Sequence, residues 1–208
     1  MHIAFEGADG SGKSSLVKNL GKIFTDNGYK VTVDVDRPVI KESVGADYKV
    51  LSKYFDIENS DVNFFLYICL ALTELYRDRK DLPKDTILIS DRDIASMYIY
   101  SSLDRYQLMP QKAYMKIAKL IYDKYSKPDI TFFIDVSLDE LIRRVASRKK
   151  NPKYYSAKAS SWWNSLYAGY QSWYKKNKKS VIKITSNSPL VVEEQVLDIL
   201  RNKGVLHV

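Results

Sequence analysis

The sequence has few of the residues from which many catalytic and structural sites are built. Its one cysteine, Cys69, and its two histidines, His2 and His207, leave nothing from which to assemble a disulfide, a histidine–cysteine zinc site or a thiol–imidazole pair. Cys69 lies in an apolar run and is predicted to be a buried core residue. The absence of a disulfide is typical of a reducing, intracellular compartment.

Long apolar segments are also lacking. No apolar run is long enough to cross a bilayer, and the first residues lead directly into a predicted strand without a secretory pattern. We therefore expect a cytoplasmic protein with no membrane partner.

Positive charge, by contrast, is in excess. The 208 residues include 33 Lys and Arg against 25 Asp and Glu, which gives a net charge of +8. Nucleotides, nucleic acid and anionic lipid all fit this charge as partners, and so does a lysine-rich surface that only meets solvent. The length and a hydrophobic content of 45% predict a single domain over residues 1–208.

The N-terminal segment contains a phosphate-binding motif. Residues 7–14 match G-x-x-x-x-G-K-[ST] at every fixed position and follow a short apolar strand. The glycines let successive N–H groups point inward around phosphate oxygens, and the helix that begins at about Gly12 adds the positive end of its dipole. Lys13 can reach the β- and γ-phosphates, and the Ser14 hydroxyl can ligate Mg²⁺. The predicted nucleotide-binding residues are Gly7, Ala8, Asp9, Gly10, Ser11, Gly12, Lys13, Ser14 and Ser15.

Strands and helices alternate along the rest of the chain. Runs rich in β-branched or apolar residues predict further strands at 30–36, 86–90, 130–135 and 181–185. Apolar spacing and capping signals predict helices at about 16–24, around 50–54, at 61–79, through 97–100, at 111–125, from a capping box at Ser137–Glu140, at 161–175 and after Ser188-Pro189. This order predicts a three-layer α/β fold of the P-loop NTPase type, with a five-stranded parallel sheet between helices.

Charged residues follow two of the predicted strands, at the sheet edge where ligands bind in such folds. Asp91 and Arg92 come after the third strand. Asp91 can hold Mg²⁺ together with Ser14, and Arg92 can span donor and acceptor phosphates, although a surface ion pair is the alternative. Asp9 and Asp36 are candidates to contact the sugar or the reacting oxygen of the acceptor. For Asp36, a residue that only ends the strand and has no functional role is an equally good interpretation.

A lysine- and serine-rich stretch at about 148–160 has no apolar periodicity and is predicted to be a flexible lid. Basic residues that precede or enter it can close over the phosphates, and we assign Arg144 to the donor nucleotide and Arg148 to catalysis. For any one of them, a solvated charge is the alternative. The helix after the lid has a stripe that predicts a core face rather than a base-stacking platform: Trp162, Leu166, Tyr170 and Trp173.

Together these segments resemble the thymidylate kinase family. The similarity rests on FEGADGSGKSSL at 5–16, on Asp91-Arg92, on PDITFFIDVSLDELIRRVASR at 128–148 and on the total length. The resemblance implies a five-stranded parallel sheet, a homodimer, and phosphorylation of thymidine monophosphate with ATP and Mg²⁺. It also implies donor-phosphate binding by residues 7–15, a sugar contact at Asp9, a metal-associated carboxylate at Asp91, a catalytic arginine at Arg92 and lid arginines near Arg148.

The segments that would surround the acceptor depart from that family and leave two alternatives. Asp36-Arg37-Pro38 stands where the family usually has Arg-Glu-Pro-Gly-Gly, and Asp93 stands where it favours tyrosine. The related deoxynucleoside kinases are also similar, and there Asp36 would act as the general base toward a 5′-hydroxyl. The net charge and the basic aromatic segment 149–179 favour a different class, a polynucleotide 5′-hydroxyl kinase or a nucleic-acid-binding ATPase.

Overall fold

The computed structural model describes residues 1–34, 82–101, 103, 120, 127–147 and 160–207. Five parallel strands form one sheet in the order β2-β3-β1-β4-β5, which places β1 in the centre. The strands are β1 (His2–Glu6), β2 (Val31–Asp34), β3 (Ile87–Asp91), β4 (Ile130–Asp135) and β5 (Val181–Thr185). All five predicted strands are confirmed, and the last two have the predicted bounds.

Five helices lie within the described residues. They are α1 (Lys13–Asp26), α2 (Ile94–Ser101), α3 (Leu138–Ala146), α4 (Ser160–Asn177) and α5 (Pro189–Asn202). The predicted apolar face of α1 is confirmed, because Leu16, Val17, Leu20 and Phe24 are buried. The helix ends at Asn27-Gly28, as predicted, and Gly28 has a φ of +81°.

Helices cover both faces of the sheet. Phe132 and Phe133 are neighbours on β4 and therefore point to opposite faces. Phe133 stacks on Tyr170 of α4, while Phe132 stacks on Phe5 of β1 on the opposite face. On that face α1 lies beside α5, where Asn19 donates a hydrogen bond of 2.9 Å to Glu193. The predicted three-layer α/β fold is confirmed.

The start of α3 corrects one prediction. Ser137 is the N-cap, but its side chain makes no capping hydrogen bond, so the predicted capping box is not formed. The Ser137 hydroxyl instead accepts a hydrogen bond from Asn187, and the Glu140 carboxylate binds Arg143 and Arg144. Two nearby arginines thus take the carboxylate that a capping box needs. At α5 the predicted cap is confirmed, since the Ser188 side chain accepts from the Val191 amide.

Several predictions fall outside the described residues: the helices around 50–54 and at 61–79, nearly all of the helix at 111–125, Cys69 and most of the lid at 148–160. Within the described ranges, no helix has both the length and the apolar character needed to cross a membrane.

Candidate active site

The phosphate-binding loop joins β1 to α1 at the carboxyl edge of the sheet. Gly10 and Gly12 have φ values of +90° and +94°, in the left-handed region that favours glycine. Gly7 lies against β4, where an added Cβ would be only 2.6 Å from the backbone oxygen of Ile134. The glycines of the motif are therefore required both by the turn and by the close approach of the loop to the sheet.

Lys13 is buried at the first position of α1. Its Nζ donates hydrogen bonds to the Ala8 carbonyl at 2.9 Å and to the Ser11 hydroxyl at 3.0 Å, which holds the ammonium group across the loop. Burial lowers the pKa of Lys13 to about 8, and the nearby charge of Arg92 lowers it further, while surrounding carboxylates oppose the change. The loop thus carries a desolvated cation, which interacts with phosphate more strongly than a solvated one.

Ser14 and Asp91 come together because β1 and β3 are adjacent and Phe5 pairs with Asp91 in the sheet register. The Ser14 hydroxyl donates a hydrogen bond to Oδ2 of Asp91. The other oxygen, Oδ1, is buried and has no hydrogen-bond partner among the described residues. A hydroxyl beside a carboxylate oxygen with open acceptor capacity fits Mg²⁺, which takes hard oxygen ligands and usually only one or two carboxylates from the protein.

Arg92 follows β3 in an unusual backbone conformation, with a φ of +78°. Its amide donates to the Phe5 carbonyl at 2.9 Å, and its guanidinium turns back across the start of the loop. There it forms an ion pair with Asp9 and donates to the hydroxyls of Tyr170, at 3.0 Å, and Ser96, at 3.3 Å. The guanidinium is therefore fixed beside the loop by groups from three separate parts of the chain.

Arg144 lies at the other side of the loop. Its guanidinium donates to the Gly10 carbonyl at 3.1 Å, to the Asn187 carbonyl at 2.6 Å and to Glu140 at 2.7 Å. Arg143, one residue earlier, is 72% exposed and pairs with Glu140. Of these two cations, Arg144 is the one that contacts the phosphate-binding loop.

The structure brings most of the predicted site residues together, since the loop, Asp91, Arg92 and Arg144 all lie at one edge of the sheet. Ser15 is also in place at the start of α1, where it is exposed. Asp36 and Arg148 lie outside the described residues, so their predicted roles stay predictions. The predicted core stripe is confirmed at Leu166, Tyr170 and Trp173, which are buried, whereas Trp162 is half-buried and its neighbour Trp163 is buried instead.

Sequence reasoning assigned no role to Glu6, and it treated Tyr170 only as a core residue. The signal at Glu6 was a carboxylate at the end of an otherwise apolar strand, and such a group is rarely buried without partners. In the structure Glu6 is completely buried and accepts hydrogen bonds from the turn that carries Arg92.

Known proteins resemble this chain over nearly its whole length. The thymidylate kinase family model matches residues 5–196. A thymidylate kinase from Mycoplasma mobile is 30% identical over 180 residues, which cover 82% of this chain and 81% of that protein.

Two solved structures support the fold. Deoxyadenosine kinase from M. mycoides has a TM-score of 0.68 at 20% identity, and the match covers 98% of this chain and all of that chain (100%). Thymidylate kinase from Ehrlichia chaffeensis has a TM-score of 0.60 at 23% identity, over 97% of this chain and 98% of that chain. The sequence matches, together with the phosphate-binding loop and the Asp91-Arg92 turn beside it, show that this chain belongs to the thymidylate kinase family.

Proposed function

We propose that this chain catalyses ATP- and Mg²⁺-dependent phosphoryl transfer to a deoxynucleoside 5′-monophosphate, above all thymidine monophosphate, to give the diphosphate. One observation carries the proposal. Lys13 in the loop, the Ser14–Asp91 pair and the Arg92 guanidinium lie together at the carboxyl ends of β1 and β3. Phosphoryl transfer needs a donor cradle, a metal site and a cation between donor and acceptor, and these residues supply all three.

In this reaction an oxygen of the acceptor phosphate attacks the γ-phosphorus of ATP, and the bond from that phosphorus to the bridging oxygen breaks to release ADP. The loop amides and Lys13 bind the donor phosphates, and Arg92 stabilises charge on the transferring group. Ser14 and Asp91 would hold Mg²⁺, which when bound neutralises charge on the phosphate oxygens. A monophosphate acceptor is already an anion, so the transfer needs no strong general base.

Two further residues complete the proposed site. We assign Arg144 to the donor side, because its guanidinium already contacts the loop at Gly10. We assign Asp9 to the acceptor side, because its ion pair with Arg92 places it next to the cation that spans the two phosphates. Arg148, as a cation of the lid at 148–160, is proposed to reach the transition state.

The test is ATP consumption with Mg²⁺ across a panel of acceptors: the common nucleosides, their 5′-monophosphates and an oligonucleotide with a 5′-hydroxyl. We expect ADP formation to be fastest with thymidine monophosphate. Turnover with the oligonucleotide alone, accompanied by affinity for nucleic acid that falls steeply with salt, would assign the chain to the nucleic-acid-directed class instead.

A deoxynucleoside kinase is the second candidate, and the departures around the acceptor favour it. Asp36-Arg37-Pro38 and Asp93 differ from the usual thymidylate kinase pattern. If the panel shows turnover with nucleosides only, Asp36 becomes the candidate general base, and Asp36→Asn would then lower kcat most at neutral pH, where the carboxylate is ionised, and less in acid.

We also propose that the chain acts as a single domain and a homodimer in the cytoplasm. The family resemblance supports the dimer, and the lone Cys69 supports a reducing compartment. Sedimentation at micromolar concentration tests the dimer, since a monomer would have a mass of 24.0 kDa.

A further inference from the structure

Glu6 lies at the end of β1, immediately before the phosphate-binding loop, and is completely buried. Its Oε1 accepts hydrogen bonds from the amides of Asp93, at 2.9 Å, and Ser96, at 3.2 Å. Its Oε2 accepts a hydrogen bond from the Ser96 hydroxyl. Glu6 therefore binds the first turn of α2, directly after the residue that carries the guanidinium of the site.

The Ser96 hydroxyl connects Glu6 to that guanidinium. Ser96 Oγ lies 2.7 Å from the Tyr170 hydroxyl, and one Arg92 nitrogen donates to both oxygens, at 3.3 Å to Ser96 and 3.0 Å to Tyr170. These four side chains form one hydrogen-bonded network, which we call the Glu6 network. It joins β1, α2 and α4 to the turn after β3.

When Glu6 is ionised, the hydrogen bonds of this network can run in only one donor-to-acceptor direction. Arg92 has no acceptor, so both hydroxyl oxygens must accept from it. The Ser96 proton goes to the carboxylate, and the Tyr170 proton then goes to Ser96. Each proton has an acceptor, and each contact has a donor.

A neutral group in place of the carboxylate reverses this direction. Two backbone amides occupy Oε1, so a proton on Glu6 would be carried by Oε2 and donated to Ser96. The Ser96 proton would turn to Tyr170, and the Tyr170 proton would have no acceptor among these four groups, because Arg92 can only donate. Arg92 is then no longer held by a network in which every donor has an acceptor.

We propose that Glu6 is a positioning residue: acting through Ser96 and Tyr170, it fixes the Arg92 guanidinium beside the phosphate-binding loop. The inference rests on the proposed function in one respect, that Arg92 acts on phosphate. It is separate from the role of Glu6 in holding the first turn of α2, because a neutral amide can still accept from the two backbone N–H groups.

Burial raises the pKa of Glu6 to about 7, which makes the network sensitive to pH near neutrality. The charged groups that act on Glu6 are Asp93, which raises the pKa, and Arg92, which lowers it. Lys13 interacts with Glu6 from the loop side, and Lys127 lines the same small cavity before β4. The ionised form is the one that orients Ser96 toward the carboxylate.

Glu6→Gln is the direct test, since the amide keeps an acceptor for the backbone and places a donor against Ser96. We expect kcat to fall about tenfold to a hundredfold while KM for ATP changes less than about twofold, because the donor cradle is intact. We also expect the ratio of wild-type kcat to variant kcat to fall toward one as the pH drops below about 7, because only the wild type loses an ionised Glu6. The acceptor phosphate titrates in both proteins and so cancels from this ratio. Glu194→Gln on the exposed side of α5 is the matched control and should leave kcat unchanged.

A second variant covers failure of Glu6→Gln to fold. Tyr170→Phe removes one acceptor of Arg92 and keeps the ring. Its control is Tyr174→Phe, four residues further along α4 and outside the network. We expect a selective loss of kcat in Tyr170→Phe. Wild-type kcat in both Glu6→Gln and Tyr170→Phe would overturn the proposal.

A readout without turnover separates this inference from the proposed function. In the wild type the Arg92 guanidinium N–H signals, assigned by their loss in Arg92→Lys, should be resolved and slow to exchange with solvent. We expect them to broaden in Glu6→Gln. Unchanged signals would refute the network even if the kinase activity is confirmed, and absence of kinase activity with broadened signals would leave the network in place and refute only the proposed function.

Discussion

Replacing Glu6 by glutamine should make the protein more stable at pH 8, although the same change should make it a poorer catalyst. The reason is that an ionised carboxylate in a completely buried site is less stable than in water, and its hydrogen bonds only partly offset that cost. Glutamine has nearly the same shape and carries no charge, so it avoids the desolvation of an ion.

The size of the effect follows from the pKa. Burial raises the pKa of Glu6 from 4.5 to about 7. Because one pKa unit corresponds to about 1.4 kcal/mol, ionised Glu6 lowers the free energy of unfolding by about 3 kcal/mol at pH 8. For a chain of this size that is roughly 6–12 °C in Tm.

The contribution of Glu6 to the free energy of unfolding depends on pH. A carboxyl whose pKa is raised on folding contributes stability that is fully present below pH 4.5 and is lost as the pH rises through about 7. Wild type should therefore gain about 2 kcal/mol of stability, relative to Glu6→Gln, as the pH falls from 8 to 5.5, and the two proteins should become similar only near pH 4.5.

Urea denaturation of both proteins at pH 8 and pH 5.5, followed by far-UV circular dichroism, measures this difference. The exposed change Glu194→Gln serves as the control and should give the wild-type pH dependence. If Glu6→Gln were destabilised by more than about 1 kcal/mol at pH 8, the carboxylate would be a net stabilising group, and the desolvation argument would be wrong.

The other predictions concern the site itself. Lys13→Ala and Arg92→Ala should each lower turnover at least about a hundredfold with an unchanged circular dichroism spectrum, and wild-type turnover in either would mean that the site is misplaced. Asp91→Asn should raise the Mg²⁺ concentration for half-maximal activity about tenfold or more, measured by titration of the initial rate, and an unchanged titration would remove Asp91 from the metal site. Arg144→Ala should raise KM for ATP about tenfold, because a charged donor at the loop is lost, whereas the exposed Arg143→Ala should not; equal effects would contradict the assignment of Arg144.

Local sequence features predicted the sheet and the position of the phosphate-binding loop between β1 and α1 well. The run at 130–135 is mostly apolar because its strand is largely buried, so its limits are visible in the sequence. The run at 181–185 has equally clear limits, although only Val181 and Ile184 of its strand are buried. The phosphate-binding loop is also local, since glycine spacing, strand and helix lie within about fifteen residues.

The Glu6 network could not be predicted in the same way. Glu6 and Ser96 are 90 residues apart, and Arg92 and Tyr170 are 78 residues apart. Helical spacing correctly placed the Tyr170 ring in the core, but periodicity describes only which face a side chain is on and gives no information on where its hydroxyl points. The positive φ of Arg92 is equally hidden, because arginine as a residue type does not favour left-handed backbone.

The capping box at Ser137–Glu140 failed for a related reason. The pattern is correct for a helix start, and α3 does begin there. Two arginines on the next turn compete for Glu140 and form charge-assisted hydrogen bonds of 2.7 Å, which are stronger than a bond to a neutral amide. A capping motif with an arginine three or four residues after its glutamate is thus a weaker signal for the capping bonds than for the helix itself.

Three unfavourable features meet at the carboxyl ends of β1 and β3: the buried carboxylate of Glu6, the buried ammonium of Lys13 and the left-handed backbone of Arg92. Each lowers the stability of the fold on its own, since buried charges are desolvated and a left-handed non-glycine residue costs about 1–3 kcal/mol. They also depend on one another, because the turn that contains the strained Arg92 presents the two backbone amides that donate hydrogen bonds to Glu6. Such a concentration of opposed charges has no stabilising purpose that an apolar core would not serve better. Its consequence is a guanidinium and an ammonium fixed beside an anion-binding loop before substrate arrives, which is the arrangement that lowers the reorganisation needed for phosphoryl transfer.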